Sequence, residues 1–218
     1  MRGRFITFEG GEGTGKSTQA RVLAEALAAS GLRVDLTREP GGTPLAERLR
    51  GLILSGALKD AGPEAEAVAF AAARADHVNR RIAPAVEAGK WVVCDRFYDS
   101  TRVYQSIAGA AEETILALQD EATGGFAPDL TIVLDIDSAT AAARARARRG
   151  AEAADRFEAE GEEFHRAVRE RFLELALAEP SRCAVVDAGG TADEVGARVA
   201  ETVASRLGMS FGAVSPKR

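Results

Sequence analysis

The octapeptide Gly10-Gly11-Glu12-Gly13-Thr14-Gly15-Lys16-Ser17 limits what this chain can fold into more than any other feature of the sequence. It fits the pattern G-x-x-x-x-G-K-[ST] and lies between a short β-rich run, Phe5 to Glu9, and a stretch with helical apolar spacing. The fold must therefore deliver a strand, a tight loop and a helix in that order. Glycines let successive backbone N–H groups turn inward around an anion, and the helix N-terminus adds partial positive charge. In such a loop Lys16 reaches the terminal phosphates and the Ser17 hydroxyl can ligate Mg²⁺, so the segment from Gly10 to Thr18 is predicted to cradle a nucleoside triphosphate. The chain has four lysines, and one of them fills the slot.

Four further runs resemble Phe5 to Glu9: Arg33 to Thr37, Trp91 to Asp95, Leu130 to Ile136 and Cys183 to Asp187. WVVC and LTIVL lack apolar/polar alternation, which is how a strand covered on both faces reads. Between the runs, apolar residues recur at three- and four-residue spacing, as in Val22, Leu23, Ala26, Leu27 and Phe164, Val168, Phe172, Leu175. Strands alternating with helices predict an α/β fold with a mainly parallel sheet, helices on both faces and ligands outside the carboxyl ends of the strands. A length of 218 residues predicts a single domain over 1–207, with 208–218 as a frayed tail.

A net charge of −5, from 28 basic and 33 acidic residues, argues against a nucleic-acid or anionic-membrane partner and for small-molecule partners. Cys94 and Cys183 sit in apolar runs and read as buried hydrophobes in a reducing compartment. No stretch is long and apolar enough for a membrane span, and the N-terminus lacks a signal-peptide pattern, so the expected location is the cytoplasm.

The loop alone does not separate a kinase from a GTPase, a motor or a switch. The run ending Cys94-Asp95-Arg96 sets a carboxylate and a guanidinium at the carboxyl end of a strand. Asp95 suits Mg²⁺ or its water shell and Arg96 a second phosphate; an Asp–Arg pair that merely closes the strand end is the alternative. Downstream, Arg144, Arg146, Arg148 and Arg149 crowd a helix end before Asp155-Arg156-Phe157-Glu158. Such a run is either a solvated helix face or a mobile lid bringing positive charge to a migrating phosphoryl group.

Six segments in order, FITFEGGEGTGKST, TREPGGTPLAERLR, AFAAARADH, CDRFYDSTRVYQ, FAPDLTIVLDID and RARARRG to DRFE, make the chain similar to the bacterial thymidylate kinases over residues 4–205. The resemblance implies a P-loop kinase of three αβα layers with a five-stranded parallel sheet and a small mobile lid at about 146–158. It implies transfer of a phosphoryl group from ATP, with Mg²⁺, to dTMP by a homodimer. It also implies catalytic arginines in the lid rather than in the P-loop, in keeping with the absence of arginine from that loop.

Position by position, the resemblance assigns Glu9 to the neighbourhood of the sugar 3′-hydroxyl and Mg²⁺, Phe70 to stacking on thymine and Arg74 to its edge. Phe70 and Arg74 are four apart and share a helix face; core Phe with surface Arg is the structural alternative. Ser100, Thr101 and Gln105 resemble residues lining the base pocket, and Tyr104 a ring under the sugar C2′ that disfavours ribose. Arg50 and Arg96 resemble residues gripping the monophosphate, and Arg38, Glu39 and Pro40 the loop after the second strand, with a cis Glu39–Pro40 bond expected. Lys16, Arg96, Arg156, Arg148 and Arg149 are the implied catalytic set, with Arg156 foremost in the lid, and Ser17, Asp95 and Glu9 the implied metal set. Arg102 departs from the neutral residue common in the family and is expected to add charge near the base pocket, and Gly150 to Ala154 is longer than in relatives. His77 and His165 read as structural. The segments around Ala65 to Ala75 and Ile115 to Leu118 serve either a dimer surface or the core. A kinase for another nucleoside monophosphate and a P-loop switch are the competing classes; transfer to added monophosphate separates them.

Overall fold

The computed structural model describes residues 2–150 and 155–209. Five strands, β1 (Phe5–Glu9), β2 (Val34–Arg38), β3 (Trp91–Asp95), β4 (Leu130–Asp135) and β5 (Cys183–Asp187), pair entirely in parallel in the order β2-β3-β1-β4-β5. The central strand β1 is buried at every position, whereas the edge strands β2 and β5 are mixed. That distribution explains why the central runs lack alternation. Three boundaries differ by a residue from the sequence reading, both ends of β2, which spans Val34–Arg38 rather than Arg33 to Thr37, and the end of β4. The β2 ladder opens at the pair Val34↔Trp91, leaving Arg33 to accept from the Trp91 N–H just outside it, and β4 ends at Asp135 rather than Ile136.

Period-two side-chain alternation sorts each strand between two faces. On one face Ile6, Phe8, Val93, Ile132 and Leu134 pack against Leu23 and Leu27 of α1 (Lys16–Ala29) and Val195 and Val199 of the C-terminal helix Ala192–Leu207. On the other face Phe5, Val92 and Cys94 meet Val78, Ile82 and Val86, while Val133 and Cys183 join Phe172 and Val168. That second layer is supplied by α2 (Pro44–Leu54), α3 (Pro63–His77), the short α4 (Ala83–Glu87), α5 (Tyr98–Ile107), α6 (Glu112–Thr123) and α8 (Glu162–Ala178), whereas α7 (Ser138–Arg149) packs on α8 and sets Ala141 against the first cluster. The C-terminal helix is α9. Its start is fixed by a capping box in which Thr191 accepts from the Glu194 N–H and Glu194 from the Thr191 N–H. Between α3 and α4, Val78–Ile82 forms a π turn ahead of Pro84, which has no N–H to continue an α ladder.

Of the segment expected to form the lid, residues 146–149 end α7 and 155–158 form a turn, while 151–154 lie outside the described residues, as do 210–218 of the expected tail. Among the described residues no helix is long and apolar enough to cross a membrane.

Candidate active site

The P-loop leaves β1 and enters α1 by way of positive φ at Gly10, Gly13 and Gly15. Two of these glycines are also demanded by packing. A Cβ on Gly13 would stand 2.0 Å from the Ala141 carbonyl oxygen, and one on Gly10 would stand 2.5 Å from that of Leu134. Both contacts are with backbone, so no larger residue fits. Thr14 Oγ1 donates to the Gly11 carbonyl at 3.0 Å, and Lys16 Nζ donates to the same oxygen at 2.6 Å. Burial, and then the nearby Arg96 guanidinium, push the Lys16 ammonium down to about 8 against the pull of Glu12, Asp95 and Glu9.

Asp95 and Arg96 close the carboxyl end of β3 beside this loop. The Ser17 hydroxyl donates to Asp95 Oδ2, while Asp95 Oδ1 is buried with no hydrogen-bond partner among the described residues. A hydroxyl and a carboxylate with an unengaged oxygen form a hard-oxygen set that suits Mg²⁺, which keeps most of its waters and binds through few protein ligands. Arg96 occupies the left-handed region at φ 69, a conformation that costs a non-glycine residue roughly 1–3 kcal/mol. The turn sends its guanidinium back to the P-loop, where it donates to the Gly10 carbonyl at 3.3 Å and to Glu12, and on to Ser100 Oγ at 3.0 Å and Tyr104 Oη at 3.3 Å. Burial alone would raise the Glu12 carboxyl, but Arg96, Lys16 and Arg148 outweigh it and hold it at about 2.

A cavity of about 620 Å³ runs across the carboxyl ends of the strands. Its walls bring together Glu12 to Thr18, Arg50, Phe70, Arg74, Asp95, Arg96, Ser100, Thr101, Tyr104, Gln105 and Arg148. Residues 188–192 follow β5 at one sheet edge, and Gly190 and Ala192 join the wall there; Arg38, Glu39 and Pro40 follow β2 at the opposite edge and join it too. The Glu39–Pro40 bond is cis. Arg74 is 2% exposed and fixed on several sides: Nε donates to Glu39 Oε2 at 2.8 Å, and Nη2 donates to Thr101 Oγ1 at 3.0 Å and to the Phe97 carbonyl at 3.3 Å. His77 is fully buried behind it, bonded to Glu39 Oε1 at 3.0 Å and Thr37 Oγ1 at 2.8 Å. Arg50 donates to the Pro40 carbonyl at 2.9 Å, which ties α2 to the same loop.

Several residues named from the sequence stand elsewhere. Glu9 is fully buried behind the wall and caps α5, accepting from the Phe97 N–H at 2.7 Å, the Ser100 N–H at 3.2 Å and Ser100 Oγ at 2.6 Å. Burial and then Asp99 push its carboxyl up to about 7. Gly10, Gly11 and Arg149 line a second cavity of about 190 Å³ behind the P-loop, with α7 and α8. Arg156 is not in the wall of the large cavity: its Nε donates to Glu66 Oε1 at 3.1 Å, Nη1 donates to Glu160, and its guanidinium lies over the Phe157 ring. Of the arginines in the segment expected to form the lid, Arg148 faces the large cavity, paired with Glu158 and 3.9 Å from Glu12. Arg102, expected to add charge near the base pocket, does not line the large cavity, because α5 turns it to the opposite side, where it donates to Glu179 Oε1 at 2.5 Å and Asp99 Oδ1 at 3.5 Å.

Sequence reasoning passed over Glu66 and the Gly189-Gly190 loop, and named Glu158 only as part of DRFE, with no partner. The loop had a usable signal, a glycine pair directly after a parallel strand, which is where such sheets bind ligands. Glu66 and Glu158 had none, since their partners are distant in sequence or reached only by a turn. Cys94 and Cys183 are free and buried, and burial pushes the Cys94 thiol well up and the Cys183 thiol to about 12, leaving neither as a nucleophile at neutral pH.

A parallel αβα sheet, a P-loop with its lysine, and a carboxylate–arginine pair facing one deep cavity define a P-loop nucleotide kinase. The thymidylate kinase family model matches residues 8–199. The thymidylate kinase of Rhodopseudomonas palustris is 53% identical over 209 residues, 95% of this chain and 91% of that protein, and that of Nitrobacter winogradskyi is 54% identical over 200 residues, 91% and 87% respectively. The crystal structure of thymidylate kinase from Ehrlichia chaffeensis superposes with a TM-score of 0.76 at 31% identity, covering 93% of this chain and all of that one. The chain belongs to the thymidylate kinase family, ATP-dependent phosphotransferases that phosphorylate dTMP.

Proposed function

We propose that this chain transfers the γ-phosphoryl group of ATP to the phosphate oxygen of dTMP within the cavity of about 620 Å³, giving ADP and dTDP. The observation that carries this reading is that one cavity joins the P-loop to Arg50, Phe70, Arg74 and Arg96, so that two anionic nucleotides can meet end to end. Mg²⁺, when bound, neutralises phosphate charge; Ser17 and Asp95 are the residues that would hold it. Lys16 and the P-loop N–H groups hold the donor phosphates, and Arg96 and Arg50 orient the acceptor phosphate. The acceptor is already an anion and needs no strong base, so positioning and charge neutralisation suffice. Arg148 is the arginine at the end of α7 best placed to reach the migrating phosphoryl, because it lines the same cavity as the P-loop.

Tyr104 supports the choice of sugar. Its ring is 5% exposed, held edge-on by Phe157, Phe164 and Phe172, and it cannot retreat from a ribose hydroxyl. Tyr104→Ala is expected to narrow the preference for dTMP over its ribose counterpart at least several-fold, whereas Tyr104→Phe keeps it. Ratios of kcat/KM for the two acceptors check this, and an unaltered ratio in the alanine variant removes the steric role.

The assembly we infer is a homodimer acting in the cytoplasm. Leu45 and Leu52 on α2, Val68 on α3 and Leu116 on α6 are each at least 37% exposed, and α3 packs against both α2 and α6. An apolar stripe across three adjoining helices supports a second copy of the chain as its cover.

A further inference from the structure

We propose that Glu66 is a positioning residue that sets the hydrogen-bond polarity of the base end of the cavity, an inference that rests on the dTMP reading. Glu66 lies on α3 four residues before Phe70 and eight before Arg74, hence on the same helix face. Its side chain is 2% exposed, and a carboxylate so buried has to be paired. Oε1 accepts from Arg156 Nε at 3.1 Å, and Oε2 accepts from Gln105 Nε2 at 3.4 Å.

The second contact decides which way the Gln105 amide faces. An ionised carboxylate only accepts, so the amide must turn its NH₂ toward Glu66; reversed, it would set a carbonyl oxygen against a carboxylate. Gln105 Oε1 is then left as a buried acceptor with no partner among the described residues, in a side chain that lines the cavity with Phe70 and Arg74. Arg74 spends Nε and Nη2 on Glu39, Thr101 and the Phe97 carbonyl, which leaves Nη1 as a donor without a protein acceptor among the described residues. One donor and one acceptor on the same wall complement an imide edge, a carbonyl beside an N–H, as in thymine. Cytosine offers an amino group and a bare ring nitrogen there, and both are mismatched. Arg156, holding the other carboxylate oxygen, keeps Glu66 fixed and ties the segment after α7 to the base end.

The test is Glu66→Gln, whose amide can donate as well as accept and so frees Gln105 to reverse. Steady-state constants are measured for dTMP and dCMP at saturating ATP, and for ATP at saturating dTMP, beside the unsubstituted protein. The expected result is a dTMP KM raised about tenfold and a kcat/KM ratio shifted about tenfold toward dCMP, with the ATP KM unchanged. A folded variant with the ratio unmoved, or with dTMP and ATP constants altered alike, overturns the proposal. Should Glu66→Gln fail to fold, Gln105→Leu carries the test, because it removes the acceptor and is expected to shift the same ratio; an unshifted ratio there overturns the proposal equally. The unsubstituted protein reports separately on the underlying reading: if it does not turn over dTMP, that reading fails and the inference with it, whereas normal dTMP turnover with an unmoved variant ratio defeats the inference alone.

Discussion

Lys16→Ala is expected to lower kcat by roughly a thousandfold, the scale on which a preorganised charge at a migrating group is lost. Lys16 is 6% exposed, and its one hydrogen bond among the described residues is to the Gly11 carbonyl of its own loop, so it ties no other described element in place. Its ammonium, pushed down to about 8 by burial and Arg96, is still mostly charged at neutral pH, and an incoming phosphate strengthens that state. The variant should therefore stay folded while losing chemistry. Single-turnover transfer with saturating nucleotides, alongside circular dichroism, checks it; a folded variant within tenfold of the parent rate contradicts the role.

Arg182→Ala is expected to produce the largest loss of stability, about 3–5 kcal/mol, because it strands a buried carboxylate. Asp99 is fully buried on α5, and Arg182 meets it bidentately at 2.7 and 2.8 Å, donates to Thr131 Oγ1 at 2.9 Å and Glu179 Oε2 at 2.8 Å, and lies over the Tyr98 ring. Without it Asp99 keeps, among the described residues, only long contacts, 3.4 Å to Thr131 and 3.5 Å to Arg102. The thermal midpoint should fall by roughly 10 °C for a chain of this size. The double variant Asp99→Leu with Arg182→Met should lose less than the single one, since an apolar pair leaves no stranded charge. A midpoint for Arg182→Ala within about 2 °C of the parent contradicts this account of the network. The link to function is α5 itself: the same helix carries Ser100, Thr101, Tyr104 and Gln105 into the cavity.

The central strands were legible because burial on both faces writes itself into composition, and the half-covered edge strands because β-branched residues mark them: the five runs match the five strands to within a residue at either end. The P-loop was legible because its residues are contiguous, and Phe70 and Arg74, four apart on α3, line the same cavity. The remainder depends on contacts across long sequence distances, which periodicity does not encode. Arg156 reads as a lid arginine in DRFE, yet its partner Glu66 lies 90 positions earlier, and that partner draws it out of the cavity wall. Arg102 sits beside pocket residues in sequence, but the helical turn carries it toward Glu179 on the other side of α5. Arg96 gave no hint of its left-handed backbone, because nothing in an arginine favours it.

The most direct test of the central claim is ADP release from Mg·ATP with dTMP, dUMP, dGMP, AMP and CMP offered separately, each against a blank without acceptor. Turnover concentrated on dTMP, and abolished by Lys16→Ala, is the result this account predicts. Turnover confined to another monophosphate, or dTMP turnover equal to the blank, would contradict it.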